Sequence, residues 1–258
     1  MNFSEPVWSY FLGLSQGDGH LQNGEGGKGK YQIELSKRDE DIILFLESLI
    51  KPHYNVSVRN RVRDTNFLQS YESVSLTVCS QDFRNKLVEA GLPYGSKADN
   101  ISVPDLISER DYWRGMLDAD GSLGFTKNGF PFVSLTIVSE DIYKSYNELL
   151  TTLTGKVKKT KRNSRDNIYN VMVNKEDAVK VVDFLYYTGC VAINRKRLMA
   201  IKISSWVRPA DMKVAPRRLS WSSEHDNFIL THSIDESAEK LGRTVSSIKN
   251  RLFRLKRK

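Results

Sequence analysis

The sequence predicts an α+β fold in which one half-domain occurs twice, followed by a small all-α module. Three observations carry this. The segments FLGLSQGDG (residues 11–19) and WRGMLDADG (residues 113–121) share small residues at helical spacing and end in Asp-Gly, so that Asp18 and Asp120 occupy equivalent positions. The chain after each segment runs through the same order of elements, helix, two strands, helix, two strands, helix, which defines a pseudo-symmetric αββαββα repeat. From about Val207 the composition changes: most of the net charge of +8 falls in the last fifth of the 258 residues. The predicted boundaries are 1–102 and 103–206 for the two repeats, 207–219 for a linker and 220–258 for a three-helix domain.

The elements follow in order. Gly13 and Gly17, like Gly115 and Ala119, are four apart and share one face of a helix, which lets two helices approach closely. After the first Asp-Gly, KYQIELS (30–36) alternates as a strand and EDIILFLESLI (40–50) reads as an amphipathic helix; FVSLTIV (132–138) and EDIYKSYNELL (140–150) repeat this in the second half. Each half then offers a basic hairpin, NVSVRNRVRDTN with SVSLTVCS and KVKKTKRNSRDN with IYNVMVN, turning near Asp64 and Asp166. Closing helices are predicted at 82–92 and 176–189.

Composition narrows the function classes. The 39 Lys and Arg exceed the 31 Asp and Glu, which suits a nucleic-acid partner. No run of about 18 apolar residues could span a membrane, and MNFSEPVWSYFLG lacks the basic segment of a signal peptide. An intracellular location alongside DNA, in a cytoplasm, nucleoid or organelle, is therefore expected. Cys79 and Cys190 have no paired spacing and the four His are scattered, which argues against zinc sites and a disulfide framework.

Each motif helix ends in an Asp, where the macrodipole disfavours a carboxylate. If the helices pack through their small faces the two acids converge, and crowded carboxylates either share a proton or hold a divalent metal, the second being preferred. On these residues the chain resembles the LAGLIDADG homing endonucleases, in the single-chain form that carries two motifs. Leu117-Asp118-Ala119-Asp120-Gly121 runs almost as that family's motif, with Trp113, Arg114 and Met116 as departures; in the first copy Ser15 and Gln16 depart, while the last acid is kept as Asp18.

The resemblance implies two saddle-shaped antiparallel sheets laid along the major groove of double-stranded DNA by a monomer acting as a pseudo-dimer. It implies hydrolysis of both strands across the minor groove, with short 3′ overhangs and the 5′ phosphates retained. Asp18 and Asp120, helped by the carbonyls of Gly17 and Ala119, would hold Mg²⁺ or Mn²⁺, with Ca²⁺ as a non-catalytic substitute. Lys97 and Lys196, at similar distances after the two acids, resemble the family's active-site lysine pair and would stabilise developing charge or help lower the pKa of the attacking water. Asp118 is left out of the metal site, because Gln16 takes its place in the first motif and a helix turns roughly 200° in two residues.

Arg59, Arg61 and Arg63 alternate and so share one sheet face; Lys156 and Lys158 are expected on one face of the matching strand of the second half, with Lys161 running into its turn. With Lys28, Lys30 and Lys37 they form the candidate DNA-contacting set of the core. In the tail, Ser223 three before Asp226 suggests a capped helix, DESAEKLGR a short second one, and TVSSIKNRLFRLKRK a third with Ile248, Leu252 and Leu255 on one stripe. This order, with Trp221 and Leu-Gly-Arg-Thr, resembles a Myb-like helix-turn-helix module, and Ser247, Lys249, Asn250 and Arg254 are its candidate readers. Two other functions fit the same parts: a transcription regulator that binds without cutting, and an intron RNA maturase. The presence of both acids and both lysines favours the endonuclease.

Overall fold

The computed structural model describes residues 1–64, 69–97, 99–210, 212 and 220–256, which divide into two units, 1–208 and 209–258. Two helices form the middle of the first unit. α1 (Pro6–Asp18) starts with Pro in its first turn, where the missing N–H costs nothing, and residues 8–16 are buried all round. α4 (Glu109–Asp120) is its counterpart, buried from Asp111 to Asp118. Their backbones touch: a Cβ placed on Gly13 would lie 2.1 Å from the Tyr112 carbonyl oxygen, one on Gly115 2.2 Å from that of Tyr10, and one on Gly17 2.2 Å from the Ala119 Cβ. No larger residue fits these positions without parting the helices.

Each helix runs straight into a sheet. β1 (Gly19–Gln22), β2 (Lys30–Ser36), β4 (Tyr71–Val78) and β3 (Val56–Arg63) form an antiparallel sheet in that spatial order. In the second half β5 (Gly121–Phe125), β6 (Pro131–Ile137) and β7 (Tyr169–Asn174) form another. The register repeats: Gly19 lies opposite Ile33 as Gly121 lies opposite Leu135. Each sheet buries its apolar face, Tyr31, Ile33, Val74 and Leu76 in one half and Val133, Leu135, Val171 and Val173 in the other, under helices α2 (Glu40–Ile50) and α3 (Gln81–Glu89) or α5 (Glu140–Thr154) and α6 (Glu176–Leu185).

The second half departs from the expected αββαββα order. Residues 156–163 form no strand, so Lys156 and Lys158 do not lie on a ladder and Lys161 follows no strand into a turn. The reason is local. The Tyr143 hydroxyl and the Asn147 amide of α5 bond the carbonyls of Lys158 and Thr160, and Asn147 Oδ1 accepts from the Lys158 N–H at 2.9 Å. Side chains thus satisfy backbone groups that a neighbouring strand would otherwise take. A further helix, α7 (Asn194–Ser204), follows in this half and carries Lys196, whereas Lys97 sits in irregular chain. The turn of the first hairpin beyond Asp64, at 65–68, lies outside the described residues, as do most of the expected linker, 211 and 213–219, and the last two residues of the expected third tail helix.

The second unit contains α8 (Ser223–Thr231), α9 (Ile234–Lys240) and α10 (Val245–Leu255). The first is capped one residue earlier than expected: Ser222 accepts from the His225 N–H and His225 returns the bond, because the hydroxyl that reaches the third helical N–H is that of residue 222. Among the described residues Ile229 and Ile248 are its buried apolar side chains, and Arg251 grips Asp226 at 2.6 and 2.7 Å. Among the described residues no helix is long and apolar enough to cross a membrane.

Candidate active site

Asp18 and Asp120 are the last residues of α1 and α4. The close approach of the helices brings them together, since a Cβ on Gly17 would stand 3.2 Å from the Asp120 Oδ2. Both residues keep access to solvent, yet their carboxyls are partly dehydrated by the surrounding protein. Dehydration first, then the charge of Asp120, pushes the Asp18 carboxyl up to about 6, with Lys97 and Lys196 opposing. Asp120 is also raised by dehydration against the pull of the same two lysines. Two acids strained in this way are relieved by a proton or a cation.

The lysines do more local work than their spacing suggested. Lys97 Nζ donates to the carbonyls of Ser15, Gly17 and Gly19, at 3.1 Å for Ser15 and 2.5 Å for Gly19. Lys196 Nζ donates to those of Leu117, Asp118 and Gly121 at 2.7, 2.6 and 2.8 Å. All three protons of each ammonium are thereby used. Each cation closes the C-terminal end of a motif helix, satisfying orphan carbonyls and offsetting the dipole beside the acid. Burial lowers both amines to about 8, with nearby carboxylates opposing. The Gly17 carbonyl, expected to face a metal, is bonded to Lys97; neither lysine bonds the Ala119 carbonyl.

Asp118 points away from this centre. It is buried and accepts from the Tyr10 hydroxyl at 2.8 Å, the Tyr186 hydroxyl at 2.7 Å and the Ile193 N–H at 2.7 Å. Gln16 occupies the matching place: it accepts from the Tyr112 hydroxyl at 2.5 Å and donates to the carbonyls of Gly91 and Ser102. Each of these residues therefore ties its motif helix to the other motif helix and to the segment that delivers a lysine. Arg114 has a similar duty. Its guanidinium bonds the carbonyls of Val191 and Leu185 at 2.7 and 2.9 Å and pairs with buried Asp111. Nothing in the spacing of Tyr10, Tyr186 or Arg114 announced these long-range partners.

Among the basic candidates, Arg61 and Arg63 both pair with Glu34 at 3.1 Å, and Arg59 is exposed on the same strand face. Lys37 bonds Glu40 and Asn60. Lys28 is exposed on a glycine-rich loop whose carbonyls, from Gly24, Gly26 and Gly29, are gathered by the buried guanidinium of Arg84 at 2.7–2.9 Å; Lys30 begins β2. Lys156 and Lys158 pair with Asp177, and Lys161 is exposed. On α10, Lys249, Asn250 and Arg254 are exposed and Ser247 is half-buried. Among the described residues no group of three or more His, Cys, Asp or Glu side chains is placed to hold a metal, so a cation here would rest on the two acids, backbone carbonyls and water.

Residues 108–185 match the family model of a LAGLIDADG-like domain. The chain shares its fold with the homing endonuclease I-WcaI bound to its DNA recognition sequence, at 13% identity and a TM-score of 0.56 over 79% of this chain and 88% of that one. Its fold is also similar to that of mesophilic variants of the homing endonuclease I-DmoI, at 14% identity and a TM-score of 0.50 over 78% of this chain and 99% of that one. No curated protein matches the sequence.

Proposed function

We propose that the chain is a site-specific endonuclease that makes a double-strand break in a long DNA target by divalent-cation-dependent hydrolysis. The observation that carries this reading is the convergence of Asp18 and Asp120 at the ends of two helices in backbone contact, each end closed by a lysine. The match to a LAGLIDADG-like domain and the fold shared with a DNA-bound homing endonuclease support it. The donor set suits Mg²⁺ or Mn²⁺, which take few carboxylates and keep several waters, and Ca²⁺ would bind without supporting cleavage.

When bound, the cation supplies a hydroxide-like nucleophile and neutralises charge on the phosphoryl oxygens. The protein's own groups do the rest. Asp18 and Asp120 hold the centre between the two strands, and Gly17 and Ala119 offer carbonyls beside them, that of Gly17 if Lys97 yields one of its three bonds. Lys97 and Lys196 act through the helix ends, keeping positive charge near developing negative charge without direct contact with the phosphate. Lys28, Lys30, Lys37, Arg59, Arg61, Arg63, Lys156, Lys158 and Lys161 contact the duplex. The second unit extends the site as a helix-turn-helix reader through Ser247, Lys249, Asn250 and Arg254, and one chain suffices, as a pseudo-dimer acting wherever its DNA is held. A duplex selected by binding from a random pool, incubated with the full chain, should be cut on both strands with Mg²⁺ and left intact with EDTA. Binding without a cut under any divalent cation would instead favour the regulator reading.

A further inference from the structure

The two sheets present unlike faces. Strand pairing places Lys30, Gln32 and Glu34 of β2, Ser73, Ser75 and Thr77 of β4, and Ser57, Arg59, Arg61 and Arg63 of β3 on one surface. That surface carries four cations and one carboxylate, and Glu34 holds Arg61 and Arg63 in place. The equivalent surface of the second sheet is made of Ser122, Phe132, Ser134, Thr136, Asn170, Met172 and Asn174. None of these side chains ionises.

The basic residues expected there are elsewhere: Lys156 and Lys158 are tied to Asp177, and 156–163 is not a strand of the sheet. What the neutral face offers is specific. Met172 is 50% exposed, and the Phe132 ring lies over Gly124, where an added Cβ would meet it at 3.2 Å. Asn170 is held by Ser134, whose hydroxyl donates to its Oδ1 at 2.7 Å, and Asn174 is exposed. In the major groove, guanine is read chiefly by Arg or Lys at O6 and N7, adenine by Asn or Gln, and the thymine methyl by apolar contact.

We infer that the two sheets read chemically different half-sites: a guanine-containing one held electrostatically by the first sheet, and an A·T-rich one read by the second through Asn170, Asn174, Phe132 and Met172. This rests on the DNA-binding reading above. The occupant of the neutral face is the duplex because that face leads from Asp120 in the same register in which the cationic face leads from Asp18.

The test selects binding sites from a random pool with the full chain, then repeats the selection with Asn170→Ala/Met172→Ala and with Arg59→Ala/Arg61→Ala. The first pair should relax A·T preference by about tenfold at a contiguous run of positions and leave the salt dependence of binding unchanged. The second should lower the log–log salt slope by about two and act on the opposite half of the site. Guanine preference at the positions relaxed by the first pair, a reduced salt slope in that pair, or a change in oligomeric state with no change in base preference would each overturn the inference. Loss of all selected binding by the unmodified chain would instead refute the DNA-binding reading itself.

Discussion

Asp18 is the clearest case of a residue kept against the interest of the fold. Its carboxyl is raised to about 6 from an ordinary value of 3.8, so the folded state resists its ionisation. The sign follows from linkage: the cost is absent well below 3.8, where the group is protonated in both states, grows as pH rises from there to about 6, and is complete above that. Asp18→Asn should therefore be more stable than the parent at pH 7.5 by about 1 kcal/mol, allowing for solvent screening of an exposed group. Chemical denaturation without divalent cations checks this, with the gain shrinking towards pH 4. The positions of Asp18 and Asp120 were legible because each closes a run of small residues at helical spacing. Their lysine partners were legible as a pair of similar spacings, but the carbonyls that bind them were not. Those contacts depend on where α7 and the chain around Lys97 return to the motif helices, which no local pattern encodes.

The motif helices and the first two strands of each half repeat in register because their side chains alternate or recur at helical spacing. Beyond them the halves diverge. In KVKKTKRN only Lys156 and Lys158, either side of Val157, alternate, and the strand reading rested on that pair and on the repeat with NVSVRNRV. Tertiary context reverses it: Tyr143 and Asn147, one turn apart on α5, occupy the backbone groups a neighbouring strand would need. Asn147→Ala leaves the Lys158 N–H without this acceptor and should cost about 1–2 kcal/mol in urea denaturation. Tyr143 hydroxyl bonds alone would not hold the segment, so proteolysis within 156–163 should quicken in the same variant. A stability change within about 0.3 kcal/mol would show that the segment is held by something else. At the other end of the chain, the cap expected at Ser223 falls on Ser222, while Ser233 and Thr244 cap the next two helices without having been singled out from sequence.

In the proposed function the two units divide the work of binding. The first carries the acids and the sheets; the second carries a basic helix, α10, whose Arg251 is already committed to Asp226 and whose Lys249, Asn250 and Arg254 are exposed. A tethered reader raises affinity through effective concentration. Deleting 209–258 should shorten the protected stretch of DNA in a footprint while leaving the cut position unchanged; an unshortened footprint would assign this unit another role. The asymmetry between Gln16 and Asp118, and between a cationic and a neutral sheet, suits a target that is not a palindrome. Everything converges on the paired acids, and strand-resolved cleavage of a selected duplex in Mg²⁺ by the parent chain, Asp18→Asn and Asp120→Asn tests them most directly. The parent should cut both strands, and each variant should bind the duplex yet lose double-strand cleavage by at least about a hundredfold. Undiminished double-strand cleavage by either variant would contradict the assignment of these acids.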